Sequence, residues 1–459
     1  MRETRERRSM ARHAVLPPGP KGLPVVGNLF PFRNDPLAFS TAIQRRYGNL
    51  VAVKIMNSYV ICGFSPEYVR YCLMEHPRSF RSIQSEGGNL RLLLGDGLLT
   101  SEGDFHRQQR RLVQPSFHRQ RIDQYADTMV NYTQDTLCGW HAGEEVEMAS
   151  QMQRLTLRII LKTMFNVDDM KQIDTLGAAF NTVINQAPHR FFWLRGPLAN
   201  LVGRTTKDQD EQFTNGRTTL DTFVSTLIQQ RRSNKQDQGD ILSMLLAASD
   251  EGESLSDQQI RDQVMTLMAA GHETAQNSLC WTFYLLAQHP RVYEKLLAEL
   301  RTVLQGRAPT MKDLAQLPYL EWVMNESWRI YPPAWRIGRR AIEDIELDGY
   351  RFPAGTIFLL HQWVTHHMPE LWGDPENFRP ERWDPAHQQK LPQGVYFPFG
   401  GGPRICIGMP FAQMEVRLLL ATILQQYYPQ IVPHQHVVPL PRVTLRPRDG
   451  MHMILQPVA

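Results

Sequence analysis

A cysteine placed just ahead of a helix start is a candidate for an anionic sulfur, and Cys406 stands in that position. The stretch FPFGGGPRICIGMPFAQMEVRLLLATILQQYY runs through the glycines Gly400 to Gly402, then Cys406, then an amphipathic helix introduced by Pro410. Unpaired backbone N–H groups and the positive end of the helix macrodipole favour a thiolate there over a thiol. Gly402 and Gly408 let the backbone come close to a flat ligand and turn its amides toward sulfur. The competing reading is one more buried apolar cysteine, which a cysteine taken at random usually is.

Three other groupings carry chemistry. In Ala270-Gly271-His272-Glu273-Thr274, a mid-helix Thr274 can bond back to the Ala270 carbonyl, and with Gly271 beside it the helix can open into a groove for oxygen and ordered water. His272-Glu273 also begins like the zinc motif HExxH, but Gln276 occupies the place of the second histidine, so a metalloprotease site fails on ligand count. Glu326 and Arg329 share a helix face in NESWRIYPP, and Arg382 of PERW can join them; alone such a pair is more often a solvated surface pair. His106 and Arg110 are four apart and face one way on a helix, while Arg107 and Arg111 lie on neighbouring faces and read as solvated charges or a docking patch for an acidic partner.

These residues need elements to hold them. Residues 17 to 36 are too dense in Pro and Gly for a regular element and read as a stiff surface segment. LVAVKIM (50 to 56) and SYVICG (58 to 63), parted by Asn57, predict a hairpin. Helical patterning dominates from about 66 to 330, and strand-like runs return at 342 to 361 and 431 to 456. The longest helix is expected to start near Ser256, with Gln259 at capping-box spacing, and to stop at His289-Pro290. Its middle, VMTLMAAG (264 to 271), is apolar on every face and predicts burial through the centre of the fold.

Length and composition set the frame. With 459 residues and 42% hydrophobic content the chain can bury a large core, and no internal repeat or low-complexity linker divides it. A net charge of +4 is too small for a nucleic-acid footprint. Five scattered cysteines are unlike a disulfide framework and suit a reducing compartment. The basic N-terminal residues lack the apolar run of a signal peptide or spanning helix, so a cytoplasmic protein with a frayed N-terminal tail is expected.

Taken together, these motifs resemble the cytochrome P-450 family. Its haem-binding motif FxxGxRxCxG is matched at every fixed position by Phe399, Gly402, Arg404, Cys406 and Gly408. Glu326, Arg329 and PERW resemble its ExxR and PERF elements, with Trp383 in place of Phe. Ala270 to Thr274 resemble the oxygen-binding AGxET, followed by Ala275 where many relatives carry Thr or Ser, and His106 with Arg110 resembles HxxxR. The elements stand in family order over nearly the whole chain.

The resemblance implies a mainly α fold with a smaller β region, a single catalytic domain over residues 1 to 459 with 1 to 16 as a flexible tail, and no fused reductase. It implies haem b with Cys406 as the proximal iron ligand, and Ala270, Gly271, Phe399, Gly402 and Gly408 lining the cofactor. His106, Arg110, Arg339 and Arg404 would hold the propionates, and Glu326, Arg329 and Arg382 would hold the core structure. Glu273 and Thr274 would serve oxygen activation, Glu273 by carrying protons inward. Family position also puts the loop between about 82 and 99, the run Phe191-Phe192-Trp193, Met268, His272, Trp335, Ile337 and Thr444 at the substrate, an apolar set that suits a lipophilic fatty acid, terpenoid or polyketide.

The implied reaction inserts one oxygen atom from O2, with electrons from NAD(P)H through a ferredoxin or flavodoxin and its reductase; a monomer without nucleic-acid partner or membrane span is expected. Two alternatives stand beside it. A peroxide-driven or isomerising haem-thiolate enzyme would turn over without a redox partner. A non-catalytic haem sensor is disfavoured by the lack of an attached output domain.

Overall fold

The computed structural model describes residues 16–85, 90–190, 207–234, 237–250, 253–386 and 391–458. The fold is mainly helical with small sheets, and it comprises two compact units, neither of which is one continuous piece of chain. One is drawn from Met1–Glu86, Ala334–Glu376 and Gln389–Cys406, the other from Gly87–Pro333, Asn377–Gln388 and Ile407–Ala459.

The first unit is built on a five-stranded sheet in the order Leu50–Ile55, Ser58–Gly63, Ile357–Leu360, Ile337–Ala341, Phe80–Ser82. Leu50–Ile55 and Ser58–Gly63 form the expected antiparallel hairpin, with Ile55 opposite Ser58. Ile357–Leu360 lies parallel to Ser58–Gly63 and antiparallel to Ile337–Ala341. All four of its residues are buried, which explains why it reads as an unbroken apolar run instead of an alternating one. Leu50, Ile61, Leu73, Phe80, Phe352, Phe358 and Phe397 meet in its core.

Residues 29 to 36 depart from expectation. Leu29–Asn34 is a helix, with Leu29 and Phe32 buried, and Pro36 begins a second helix, Pro36–Tyr47. Proline in a first turn sacrifices no helical hydrogen bond, and the Asp35 side chain caps the second helix by accepting from the Ala38 N–H at 2.9 Å. Residues 17 to 28, with Pro17, Pro18, Pro20 and Pro24, form no helix or strand, as expected, and the departure is confined to 29 to 36, where Pro36 opens a helix.

The second unit is helical around Asp257–Gln288, a helix of 32 residues. Ser256 and Gln259 form the expected capping box and His289 closes the far end. The helix packs along Met148–Phe165 and also meets Lys207–Asn234, Pro318–Ile330 and Met409–Ile423. Its central burial ends sooner than the apolar run suggested. Val264 to Met268 are buried, but Ala270 is exposed and Ala269, Gly271 and Thr274 are half-buried. The polar residues Arg261, Asp262 and Gln263 of its second turn are buried instead, because each has a partner. Arg261 meets Asp262 at 2.9 Å and the Leu93 carbonyl at 2.9 Å, Asp262 accepts from the Asp96 N–H at 2.8 Å, and Gln263 accepts from the Leu98 N–H at 3.1 Å. These bonds tie residues 93 to 98 to the long helix.

Candidate functional site

The cysteine loop lies in the first unit. Gly402–Arg404 is a single 3-10 turn, closed by the Ile405 N–H on the Gly402 carbonyl at 3.0 Å. The Cys406 N–H returns to the Phe399 carbonyl, also at 3.0 Å, so the two ends of the motif are joined by its own backbone. Gly402 has φ +65°, and a Cβ there would stand 1.7 Å from the Leu73 carbonyl oxygen. Only glycine fits. Gly408 is different: with φ −83° it takes an ordinary conformation as the residue before Met409–Ile423.

Burial separates the cysteines. Cys62 and Cys72 are buried in the first unit, and loss of solvent pushes both thiols up to about 12; an attraction from Arg339 opposes this slightly at Cys72. Cys280 is buried in the long helix and raised well above the ordinary thiol range by the same cause. All three are poor thiolates at neutral pH. Cys138 and Cys406 are exposed. Cys138 terminates the helix Ala126–Leu137 at its carbonyl end, the wrong pole for an anionic sulfur, whereas Cys406 is followed three residues later in the chain by a helix start. Arg339, on the strand Ile337–Ala341, and Arg404 are half-buried in the same unit as Cys406.

In the second unit the helix Gly103–Val113 puts His106 and Arg110 one turn apart, His106 buried and Arg110 half-buried. Arg107 and Arg111 are exposed, and Arg107 pairs with Asp104. This bears out the solvated reading of those two. Within the first unit the residues present fit a haem: an exposed cysteine in a loop whose glycine cannot be replaced, with the half-buried cations Arg339 and Arg404.

On the long helix, the Thr274 hydroxyl donates to the Ala270 carbonyl at 2.8 Å, as its spacing predicts. The helix stays continuous through Gly271 and no local opening forms. A Cβ at Gly271 would lie 2.6 Å from Ile160 Cδ1, so the glycine serves close approach of Met148–Phe165. Ala270 is exposed and Thr274 half-buried, between the buried residues Val264 to Met268 and Asn277 to Phe283. Glu273, 7% exposed, turns to the C-terminal hairpin of Pro439–Pro441 and Leu445–Pro447: its Oε1 accepts from the Thr444 hydroxyl at 2.7 Å. Burial raises the Glu273 carboxyl above the ordinary range, and the Thr444 hydrogen bond and the Arg446 charge act against that rise.

Glu326 and Arg329 are both fully buried, so this pair is not a solvated one. Arg329 grips the carboxylate at two points, 2.9 and 2.8 Å, and Arg382 Nε and the Arg379 N–H add bonds at 3.0 and 3.1 Å. The indole N–H of Trp383 donates to Oε2 at 3.0 Å. Trp383 is therefore more than an aromatic substitute for Phe, because phenylalanine has no donor.

The expected substrate residues fall in different places. Met268 is fully buried, and the His272 ring packs on Phe180 with Nδ1 on the Met268 carbonyl at 2.6 Å. Trp335 is buried beneath the guanidinium of Arg336, and Ile337 is half-buried beside Gly400. The Thr444 hydroxyl is engaged by Glu273 and Asn277. Phe191, Phe192 and Trp193 lie outside the described residues. Asn277 and Arg446 went unread in the sequence; Asn277 carried a usable signal, since it is one turn from Glu273 on the same helix face.

Comparison with known proteins agrees with this chemistry. A family model, Cytochrome P450, matches residues 17–453. The chain is 34% identical to a cyclooctat-9-en-7-ol 5-monooxygenase of Streptomyces melanosporofaciens, covering 90% of this chain and 89% of that protein. It is 32% identical to a pentalenene oxygenase of Streptomyces avermitilis, covering 95% and 96%. Its fold matches the solved structure of a retinoic acid bound cyanobacterial CYP120A1 with TM-score 0.85 and 28% identity over 97% of this chain and 100% of that one. The chain belongs to the cytochrome P450 family, and it is a haem-dependent monooxygenase that uses molecular oxygen and electrons from reduced pyridine nucleotide.

Proposed function

We propose that Cys406 is the axial thiolate of the haem iron, that His106, Arg110, Arg339 and Arg404 pair with its propionates, and that Glu273 and Thr274 deliver protons during oxygen activation. Bound haem supplies the redox centre at which dioxygen is reduced, and a thiolate ligand pushes electron density toward O–O cleavage. The observation that carries the reading is the loop from Phe399 to Cys406, closed by its own backbone bond and locked on the Leu73 carbonyl at Gly402. That closure fixes the backbone from which Cys406 projects, which lowers the cost of ordering the loop on binding.

Glu273 suits a proton carrier because it is a carboxyl held by Thr444 on the long helix one residue from Thr274, with burial raising it above the ordinary carboxyl range against the Thr444 hydrogen bond and the Arg446 charge. Thr274, half-buried, keeps its hydroxyl on the carbonyl of the exposed Ala270, where it can turn to a substrate-side acceptor at the loss of a single hydrogen bond.

The substrate is proposed to be a terpenoid, because two relatives are named for cyclooctat-9-en-7-ol and pentalenene, both terpenoid skeletons. Electrons are proposed to come through a separate ferredoxin or flavodoxin with its reductase, to a monomeric single-domain protein of the cytoplasm. Among the described residues no helix is long and apolar enough to cross a membrane. Dithionite-reduced protein under carbon monoxide is expected to show the far-shifted Soret band of thiolate ligation, and Cys406→Ala to lose it. Retention of that band in the variant would overturn the assignment.

A further inference from the structure

Glu273, Thr444 and Asn277 form a chain of hydrogen bonds closed off from solvent. Thr444 donates to Glu273 Oε1 at 2.7 Å and accepts from Asn277 Nδ2 at 3.0 Å. Their exposures are 7%, 6% and 0%. Asn277 Oδ1 is buried and has no hydrogen-bond partner among the described residues.

A hydroxyl carries one proton, and this limits what the chain can do. While Asn277 presents its NH2, the Thr444 proton must point at Glu273 Oε1, which suits the carboxylate and leaves no acceptor for a proton carried on that oxygen. Once Glu273 carries a proton on that oxygen, it must donate, and Thr444 must send its own proton elsewhere. Asn277 supplies the acceptor if its amide turns by half a turn, exchanging two nearly isosteric atoms. The exchange leaves Nδ2 without a partner where Oδ1 had none before, so the two arrangements leave the same number of unpaired groups and differ little in energy on that account.

We propose that Asn277 and Thr444 are positioning residues forming a reversible clasp, which reverses its hydrogen-bond direction so that Glu273 is held in one place both as carboxylate and as carboxylic acid. The inference rests on the reading of Glu273 as a proton carrier. It matches the electrostatics around the group. Arg446, on the strand Leu445–Pro447, favours the charged form and is itself bonded to Asn185, while burial favours the neutral form. His272, the neighbouring titratable side chain on the long helix, faces Phe180 and is kept neutral by burial, which pushes it down to about 4. An acid that must gain and lose a proton without swinging away needs a partner that serves both forms.

The test is infrared difference spectroscopy of the holoenzyme with labelled glutamate carboxyls, the Glu273 carboxylic C=O band being assigned by its loss in Glu273→Gln. In Thr444→Val the protonated acid loses its acceptor, so the band moves to higher frequency, and Thr444→Ser restores it. Should Thr444→Val fail to fold, Thr444→Ala gives the same readout. A band unmoved by removing the hydroxyl would show that the acid never donates to Thr444, and the clasp is then wrong. The midpoint of the band's titration gives a second criterion. A two-way clasp supports both forms, so Thr444→Val moves the midpoint by less than about one unit; a donor serving the carboxylate alone would raise it by about one unit or more, tenfold in proton affinity. Product formed per NAD(P)H separates the two layers: unchanged coupling in Glu273→Gln would sink the proton-carrier reading, while the band shifts would still decide the clasp.

Discussion

Replacing Trp383 by its sulfur isostere, benzothienylalanine, changes one thing at the Glu326 carboxylate: it removes a hydrogen-bond donor and keeps the shape of the ring. Donors from Arg329, Arg379, Arg382 and Trp383 converge on that carboxylate, and Trp383 Nε1 meets Oε2. Without it Oε2 loses a donor that sits 3.0 Å away, in a site where Glu326 and Arg329 are 0% exposed and water offers no replacement. A hydrogen bond to a charged group contributes about 1.5–3 kcal/mol, and the low local dielectric points to the upper part of that range. With an unfolding entropy of about 2.1 cal/mol/K per residue, a chain of this length carries about 1 kcal/mol/K, so the melting temperature should fall by about 2–3 °C. Trp383→Phe loses the same bond and some buried volume as well, and should fall further. The assay is calorimetry of parent, isostere and Phe variant under one condition. An isostere that melts with the parent would refute the claim that the indole N–H supports Glu326.

Gly402→Ala should prevent the cysteine loop from closing and abolish haem retention, since its Cβ would sit 1.7 Å from a backbone oxygen; Gly400→Ala, with φ +76° and only Ile337 Cδ1 at 3.4 Å, should cost about 1–2 kcal/mol and leave the haem spectrum in place. Glu415 is fully buried, both its oxygens lack partners among the described residues, and burial raises its carboxyl well above the ordinary value. Its folded-state pKa exceeds the unfolded one, so the unfolded chain releases this proton first, and stability falls as pH rises from the unfolded value toward the folded one. Relative to Glu415→Gln, denaturant midpoints measured above about pH 4.3 should show parent stability declining by about 1.4 kcal/mol per pH unit, and parallel curves would contradict the buried neutral acid. Glu273→Gln should divert reducing equivalents into hydrogen peroxide, read as peroxide formed per NAD(P)H consumed.

Local features were legible wherever the signal lay within a few residues. The capping box of Ser256 and Gln259, the stop at His289-Pro290, the hairpin across Met56-Asn57 and the Thr274 bond to Ala270 all follow from spacing along one element. The helices at 29 to 36 are hidden in composition because proline gives the same signal in a helix's first turn as in the loop of 17 to 28, and only position relative to a cap such as Asp35 separates the two. The apolar run Val264 to Gly271 foretold burial, but the side chains that pack on each helix face come from elsewhere in the chain, and none packs tightly on Ala270.

Residue types and order therefore determined the family, the cysteine loop and the long helix by themselves, because glycine geometry, capping and periodicity act over short stretches of chain. Tertiary structure alone decided that Glu273 meets Thr444, 171 residues away, that the Glu326 carboxylate gathers Trp383 from 57 residues on, and that Cys62, Cys72 and Cys280 are buried while Cys406 is not. Each of these depends on which distant segments pack together, and the pairing of distant segments leaves no periodic trace in a single sequence.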